Sequence, residues 1–255
     1  YNLVPHFCTG FTGVPKCSIQ IKYNILILHC FYALSYHLLE NASTSCYIKS
    51  VFMRAFQKKH VPKPKHGLQV YPDSPVDLEI GCGVGLHAIT YCQKYPKRNV
   101  IAVDRSRLRI HKMKKTIESI GGLPNLVVVC EDADKFVVHE IKEQSIENLF
   151  LLYPNPYPKE KQANKRWHQM PLMSCLLDKL VKGGTVHLVT NMEFYAAEAK
   201  KYFMEVWKLQ VEHEKIFQHQ LPFAPRTHFE KKYLERGDML FDMRFKKTYS
   251  VDSQE

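Results

Sequence analysis

The residues best suited to chemistry open with Glu79-Ile80-Gly81-Cys82-Gly83-Val84-Gly85 and close with Asp104, at the end of Asn99-Val100-Ile101-Ala102-Val103. Glycines without Cβ let a chain turn sharply and approach a ligand with its backbone. A helix starting after such a turn presents unpaired N–H groups. An acid ending the following strand is placed to accept hydrogen bonds from ribose hydroxyls. The spacing is G-x-G-x-G, not the G-x-G-x-x-G of dinucleotide sites. Glu79 would be badly placed against a pyrophosphate and suits a cationic ligand. A ligand-free glycine turn competes with this reading, but Asp104 in register favours the ligand.

A second group lies further along. Tyr153-Pro154-Asn155-Pro156-Tyr157-Pro158-Lys159 is followed by Lys161, Asn164, Lys165, Arg166, Trp167 and His168. Prolines on both sides of Asn155 stiffen this loop. Asn155 is either a turn residue, as asparagine favours, or a pocket residue. Asn191, Thr227 and Glu230 complete the polar positions. Asp132 follows a third apolar segment. It could receive the exocyclic amine of an adenine, or cap the next helix.

These residues need a sheet to bring them together. Val76–Ile80, Asn99–Val103, Asn125–Cys130, Asn148–Tyr153 and Thr185–Thr190 read as strands, apolar as in a buried parallel sheet. Gly85–Tyr95, Arg107–Ile120, Met170–Leu180 and Asn191 to about Trp207 read as helices, and Gly183-Gly184 as a turn. Met239–Phe245 alternates into a last strand. Ligands of open α/β sheets bind beyond the carboxyl ends of the strands, where the polar residues fall.

With 255 residues and a net charge of +11, the chain is one large domain or a domain with an extension, suited to a polyanionic partner. No cysteine spacing matches a metal site, so metal ligands are expected to be none. The thiols of the globular part read as reduced, in a cytosolic protein. Residues 1–52 hold four of the eight cysteines and no methionine. Tyr23 to Leu39 is interrupted by Asn24, His29, Ser35 and His37, which is short and polar for a membrane span. Residues 1–52 are read as an N-terminal extension of uncertain status, with Met53 as the functional start. A helical or membrane-associated arm is the alternative. Residues 53–75 read as a basic, proline-broken arm, a solvated linker or a nucleic-acid contact. The main domain is expected over 76–249 and a tail over 250–255. A chain beginning at Met53 is expected to fold and bind the ligand alone.

The acid-then-glycines form resembles the first motif of S-adenosylmethionine-dependent methyltransferases of the Rossmann-like class. The later stretches, taken in order, resemble the tRNA (guanine-N7-)-methyltransferase family. They are Asp132-Ala133, Pro154-Asn155-Pro156-Tyr157 with Lys159, Thr190-Asn191 with Tyr195, and Thr227-His228-Phe229-Glu230. The resemblance runs from about Val76 to Phe245. It implies an α/β fold of the class I methyltransferase type, a mostly parallel seven-stranded sheet with helices on both faces and Met239–Phe245 antiparallel near one edge. It implies S-adenosyl-L-methionine as cofactor, bound by Glu79, Gly81, Gly83, Asp104, Asp132 and Asn155. Asn155 is also the residue at the reacting centre. Lys159, Asn191, Thr227 and Glu230 are implied to bind substrate, with Lys165 and Arg166 facing RNA. The implied partner is tRNA and the implied compartment cytoplasmic, with no membrane contact by the main domain and the oligomeric state open.

Asn155 and Asn191 stand where that family carries Asp. Three readings follow: guanine-N7 methylation of tRNA, methylation of another nitrogen acceptor, or a non-catalytic RNA-binding paralogue that retains the cofactor pocket. Guanine N7 has a lone pair and no proton, and methylation makes the ring cationic. A neighbouring carboxylate then stabilises the transition state more than the neutral base. From sequence, Asn155→Asp with Asn191→Asp is therefore expected to raise the tRNA methylation rate, measured at matched cofactor saturation. A rate that falls would show that the amides have a positive role.

Overall fold

The computed structural model describes residues 55–65, 75–218 and 224–250. The expected extension 1–52 lies outside them, as does the tail apart from Ser250. Strand β1 (Val76–Ile80) is buried along its whole length because it lies in the interior of the sheet, paired on both sides. Strands β2 (Asn99–Val103), β3 (Leu126–Val129), β4 (Ile146–Leu152), β5 (Leu180–Thr190), β6 (Gln210–Phe217) and β7 (Leu240–Lys246) complete a seven-stranded sheet. The order is β3-β2-β1-β4-β5-β7-β6. Strands β1 to β5 pair in parallel, whereas β7 runs antiparallel to both β5 and β6. This is the Rossmann-like class I methyltransferase fold.

Helices α1 (Leu86–Lys94), α2 (Arg107–Ser119), α3 (Ala133–Glu140), α4 (Leu172–Lys179), α5 (Glu193–Lys201) and α6 (His228–Glu235) follow in chain order. Successive strand side chains point to opposite faces, and β2 shows the division. Ile101 and Val103 join a core with Phe136 of α3, Leu176 of α4 and Tyr195 of α5. Ala102 between them joins Ala88 and Ile89 of α1 and Ile110 and Met113 of α2. Helices therefore cover both faces. Among the described residues no helix is long and apolar enough to cross a membrane.

Asp77 is the costliest residue in β1, since it is fully buried. Its carboxylate accepts from the Tyr91 hydroxyl at 3.0 Å, from Asn148 Nδ2 at 2.7 Å and from the Arg98 guanidinium. A buried charge is tolerated when it is paired and hydrogen-bonded in this way. The network ties β1 to the end of α1, the start of β2 and β4.

Two local expectations change. Gly183-Gly184 does not separate a helix from the strand. It sits inside β5, where the pairing with β4 jumps from Ile146↔Leu180 to Asn148↔Thr185. The bulge is held from the other side by Gly183 N–H to Lys247 O at 2.7 Å and Lys247 N–H to Gly184 O at 2.9 Å. The other change is β6, which the sequence reading passed over. It is a mostly exposed edge strand, and its charges pair outward, as Arg244 with Glu212 and Lys200 with Glu214. Charge along an edge blunts unwanted strand pairing.

The described part of the basic arm is fastened down. Lys58 pairs with Glu143 at 3.2 Å and Asp178 at 3.6 Å. Val61 O lies 2.8 Å from His139 Nε2, and Lys65 N–H reaches Glu131 at 3.2 Å.

Gly85 caps α1 at φ +84°, and a Cβ there would lie 2.5 Å from Met113 Sδ. Gly85→Ala is expected to cost about 1–3 kcal/mol through backbone strain, and so to lower Tm by several degrees in thermal denaturation. An unchanged Tm would contradict this.

Candidate active site

The topology gathers the polar residues at one edge. The loops after β1 to β5 emerge at the carboxyl ends of those strands. Because β7 is antiparallel to β5 and Thr190 pairs with Phe241, the chain just before β7 returns to the same edge.

The first half is built on the glycine loop. Gly81 and Gly83 take φ of +79° and +61°. Gly81 N–H donates to Val103 O at 2.8 Å, tying the loop to the end of β2. Asp104 is buried and has both oxygens engaged. Oδ2 accepts from Gly83 N–H at 3.0 Å and Oδ1 from Ser106 N–H at 2.8 Å, with the Arg109 guanidinium 3.6 Å away. Each oxygen keeps a second lone pair for a ligand hydroxyl.

Glu79 is only 3% exposed, and its Oε2 lies 2.9 Å from His87 Nδ1. An ionised Glu79 makes His87 Nδ1 the donor. The His87 ring packs edge-on against Phe150, with centroids 4.8 Å apart. His87 does not stand out among the polar residues of the sequence. Its signal was its place in the first turn of the helix after the glycine loop, on the side facing Glu79.

Beyond β3 an open cleft of about 510 Å³ is lined by Lys65, Arg105, Arg107, Cys130, Glu131 and Asp132. Asp132 is the N-cap residue of α3, yet its side chain makes no capping hydrogen bond. It pairs with Lys135 at 3.2 Å and remains 46% exposed at the cleft. The capping alternative from sequence is thus not how the side chain is used.

The second half is the Pro-Asn-Pro loop. Tyr153 and Tyr157 take φ of +51° and +45°, left-handed values that cost energy for residues with a Cβ. Asn155 is exposed, and its Oδ1 accepts from Tyr157 N–H at 3.3 Å. Its oxygen therefore shapes the turn and its Nδ2 is the group left to a ligand.

Arg166 departs from expectation. It is buried, not turned toward solvent. Its guanidinium donates to Tyr157 O at 3.0 and 3.2 Å and to Glu198 Oε2 at 2.5 Å, and it lies over the Phe194 ring. Glu198 also accepts from His168 and Gln169. Burial alone would push the Glu198 carboxyl up, but hydrogen bonds from His168 and Arg166 outweigh it and hold the group below its ordinary range. Arg166 clamps the strained loop. Lys159, Lys161 and Lys165 are the exposed cations there.

Asn191, just past β5, donates Nδ2–H to Asp238 Oδ2 at 2.9 Å. The hydrogen bond from Arg236 holds the Asp238 carboxyl below its usual range. Thr227 is the N-cap of α6, accepting from Glu230 N–H at 3.0 Å. Glu230 is a correction. It is fully buried, and its carboxylate accepts from Arg226 N–H at 2.8 Å and from the Arg226 guanidinium. Arg226 in turn reaches Asp242 of β7 at 2.7 Å. Glu230 therefore anchors α6 to the sheet and does not face the open edge. Phe229 and Tyr233 stack on α6 with centroids 6.0 Å apart, and Tyr153 lies 5.5 Å from Tyr233. Phe229 is half exposed.

A family model described as "Putative methyltransferase" matches residues 73–243. The chain belongs to this methyltransferase family. It is similar to the tRNA (guanine-N(7)-)-methyltransferase of Nitrosomonas eutropha, 24% identical over 196 residues, or 72% of this chain and 86% of the relative. It is similar to the enzyme of that name from Neisseria meningitidis serogroup A, 28% identical over 173 residues, or 68% of this chain and 72% of the relative. Among solved structures, a methyltransferase from Pyrococcus furiosus is 18% identical with a TM-score of 0.49, covering 81% of this chain and 83% of its own. As a methyltransferase the chain uses S-adenosyl-L-methionine.

The clamp and the exposed lysines should separate in experiment, with tRNA as the polyanion. Lys159→Ala and Lys165→Ala are each expected to flatten the salt dependence of tRNA binding, by about 0.7–0.9 in the log–log slope per lost phosphate contact. Arg166→Ala should leave that slope unchanged and lower the methyl-transfer rate roughly ten- to hundredfold by misplacing the loop. A flattened slope with Arg166→Ala would restore Arg166 as an RNA contact.

Proposed function

We propose that this chain transfers the methyl group of S-adenosylmethionine to N7 of a guanine in tRNA. The observation that carries the reading is the division of one sheet edge into two halves. Acids held by buried and backbone contacts stand on one side, Glu79 and Asp104 with Asp132 at its cleft. A clamped Pro-Asn-Pro loop with exposed Lys159, Lys161 and Lys165 stands on the other. The named relatives, matched over most of their length, support the same substrate.

The cofactor fits the residues present. Its cationic amino-acid end suits the buried Glu79 carboxylate, its ribose the pre-oriented Asp104, and its adenine the cleft at Asp132. The glycine conformations at Gly81 and Gly83 allow close backbone approach. When bound, the cofactor supplies a methyl group activated on a sulfonium.

The protein's task is then positioning. Guanine N7 has a lone pair and no proton, so no side chain has to act as general base. The nitrogen must be held in line with the methyl group, with water excluded. Asn155 lies on the exposed loop of the second half, and its Nδ2 is a donor for either ligand. Asn191 and Thr227 bound the substrate side, and Lys159 takes phosphate. The catalytic unit on this reading is 76–249, approached by the arm 53–75. A cytoplasmic setting is supported by free thiols at Cys82, Cys92, Cys130 and Cys175.

Two experiments test the reading. Nucleosides from tRNA incubated with protein and cofactor are expected to contain 7-methylguanosine by mass spectrometry. Another methylated nucleoside would move the acceptor, and no product on RNA would favour a binding-only paralogue. In calorimetry, Asp104→Ala is expected to weaken S-adenosylmethionine roughly tenfold or more, since a charged hydrogen-bond partner is worth about 1.5–3 kcal/mol. Unchanged affinity would remove the ribose assignment.

A further inference from the structure

We propose that Asp238 is a positioning residue for substrate. It holds the Asn191 side chain with the amide nitrogen turned inward and the oxygen left as an outward acceptor, so the site selects a base whose edge donates N–H. The inference rests on the guanine reading above and names the group that sets its specificity.

Topology brings the pair together. Asn191 follows Thr190 at the end of β5, and Thr190 pairs with Phe241 of β7. The turn Arg236-Gly237-Asp238 therefore lies over the start of the Asn191 segment. A carboxylate accepts and cannot donate. The Asn191 group that meets Asp238 Oδ2 at 2.9 Å must then be Nδ2, which orients the amide without ambiguity. That is the sole hydrogen bond of the Asn191 side chain among the described residues. Met192 N–H donates to Thr190 Oγ1 at 3.1 Å, which steadies the backbone on either side of Asn191.

Asp238 is itself held in place. Arg236 Nε donates to Oδ1 at 2.8 Å, and a second guanidinium nitrogen reaches Oδ2. Asp238 N–H donates to Tyr233 O at 2.9 Å, and the Arg236 guanidinium lies 5.1 Å from the Tyr233 ring centre. The chain of contacts runs from the aromatic face of α6 through Arg236 and Asp238 to the Asn191 amide. Guanine offers two adjacent donors, N1–H and its exocyclic amine, whereas adenine sets an acceptor at N1 beside its exocyclic amine. An amide held oxygen-outward therefore favours guanine.

The arrangement reverses one expectation from sequence. Asn191→Asp would set two carboxylates at hydrogen-bonding distance, which disfavours having both charged. A carboxylate at position 191 is tolerated only if position 238 gives up its own.

The test compares wild type, Asp238→Ala, Asp238→Asn, Asn191→Asp and the exchange Asn191→Asp/Asp238→Asn in the full chain. Methylation of tRNA at saturating cofactor is read as kcat/KM, with Tm recorded for each variant. Asp238→Ala and Asn191→Asp are each expected to lower kcat/KM roughly tenfold or more. The exchange should recover most of that loss, because an amide at position 238 can donate to a carboxylate at position 191. In protein labelled with 15N-asparagine, the Asn191 side-chain amide is assigned by its absence in Asn191→Asp. Its signals should shift toward those of a free amide in Asp238→Ala, and less so in Asp238→Asn. An Asn191 amide untouched by Asp238→Ala, or an exchange no better than Asn191→Asp alone, would overturn the proposal. Wild type without 7-methylguanosine product would refute the guanine reading, and the amide signals would still decide whether Asp238 orients Asn191.

Discussion

The Asp104 carboxylate joins the two loops on which the first half of the candidate site depends. One oxygen takes the N–H of Gly83 in the loop after β1, and the other takes the N–H of Ser106 just after β2. Both donors belong to backbone that no strand or helix otherwise satisfies. An acceptor buried at this point gives each loop one conformation. The glycines supply the positive φ that lets the first loop reach it, and the parallel pairing of β1 with β2 sets the distance. Pre-orientation of this kind reduces what a ligand must spend on ordering its site.

The loop after β4 is ordered by the same means with different residues. Two left-handed tyrosines and three prolines leave the loop after β4 with carbonyls that have no strand partner. The Arg166 guanidinium covers the one at Tyr157 and is anchored to Glu198 on α5. Strain in that loop is thus compensated by packing beneath it, as strained functional loops require. A charge-assisted network under a loop leaves the surface above free for exposed lysines. This explains why one basic run divides into buried and solvent-facing members.

A third layer comes from β7. Its antiparallel insertion between β5 and β6 turns the C-terminal segment back over the reactive edge. Arg226, Glu230 and Asp242 fasten α6 to β7, and Asp238 meets Asn191. Arg226, Glu230, Asp238 and Asp242 are therefore paired internally before any ligand arrives. The half-exposed Phe229 ring stacks on Tyr233, and Asn191 is a neutral amide bonded to Asp238, in place of the open carboxylates that residue type alone would imply.

Much of this was legible in the order of residues. The apolar runs of β1 to β5, the glycine turn, Asp104 in register and the alternating β7 follow from local periodicity and from glycine's freedom at positive φ. Each depends on neighbours along the chain. The edge strand β6 was not legible, because its charges satisfy themselves across the sheet and leave no apolar alternation to read. Arg166 and Glu230 look like any other charged residues in sequence. The burial of Arg166 depends on Glu198 being brought alongside by helix packing, and that of Glu230 on its local partner Arg226 being tied to Asp242 of β7. The hydrogen bonds of Glu79 to His87 and of Asn191 to Asp238 likewise join different segments. Fold class, and the gathering of the polar loops at one sheet edge, follow from residue order alone. Which polar groups are already partnered at that edge, and which remain free, is settled only on folding, because hydrogen-bond satisfaction depends on contacts between segments far apart in the chain.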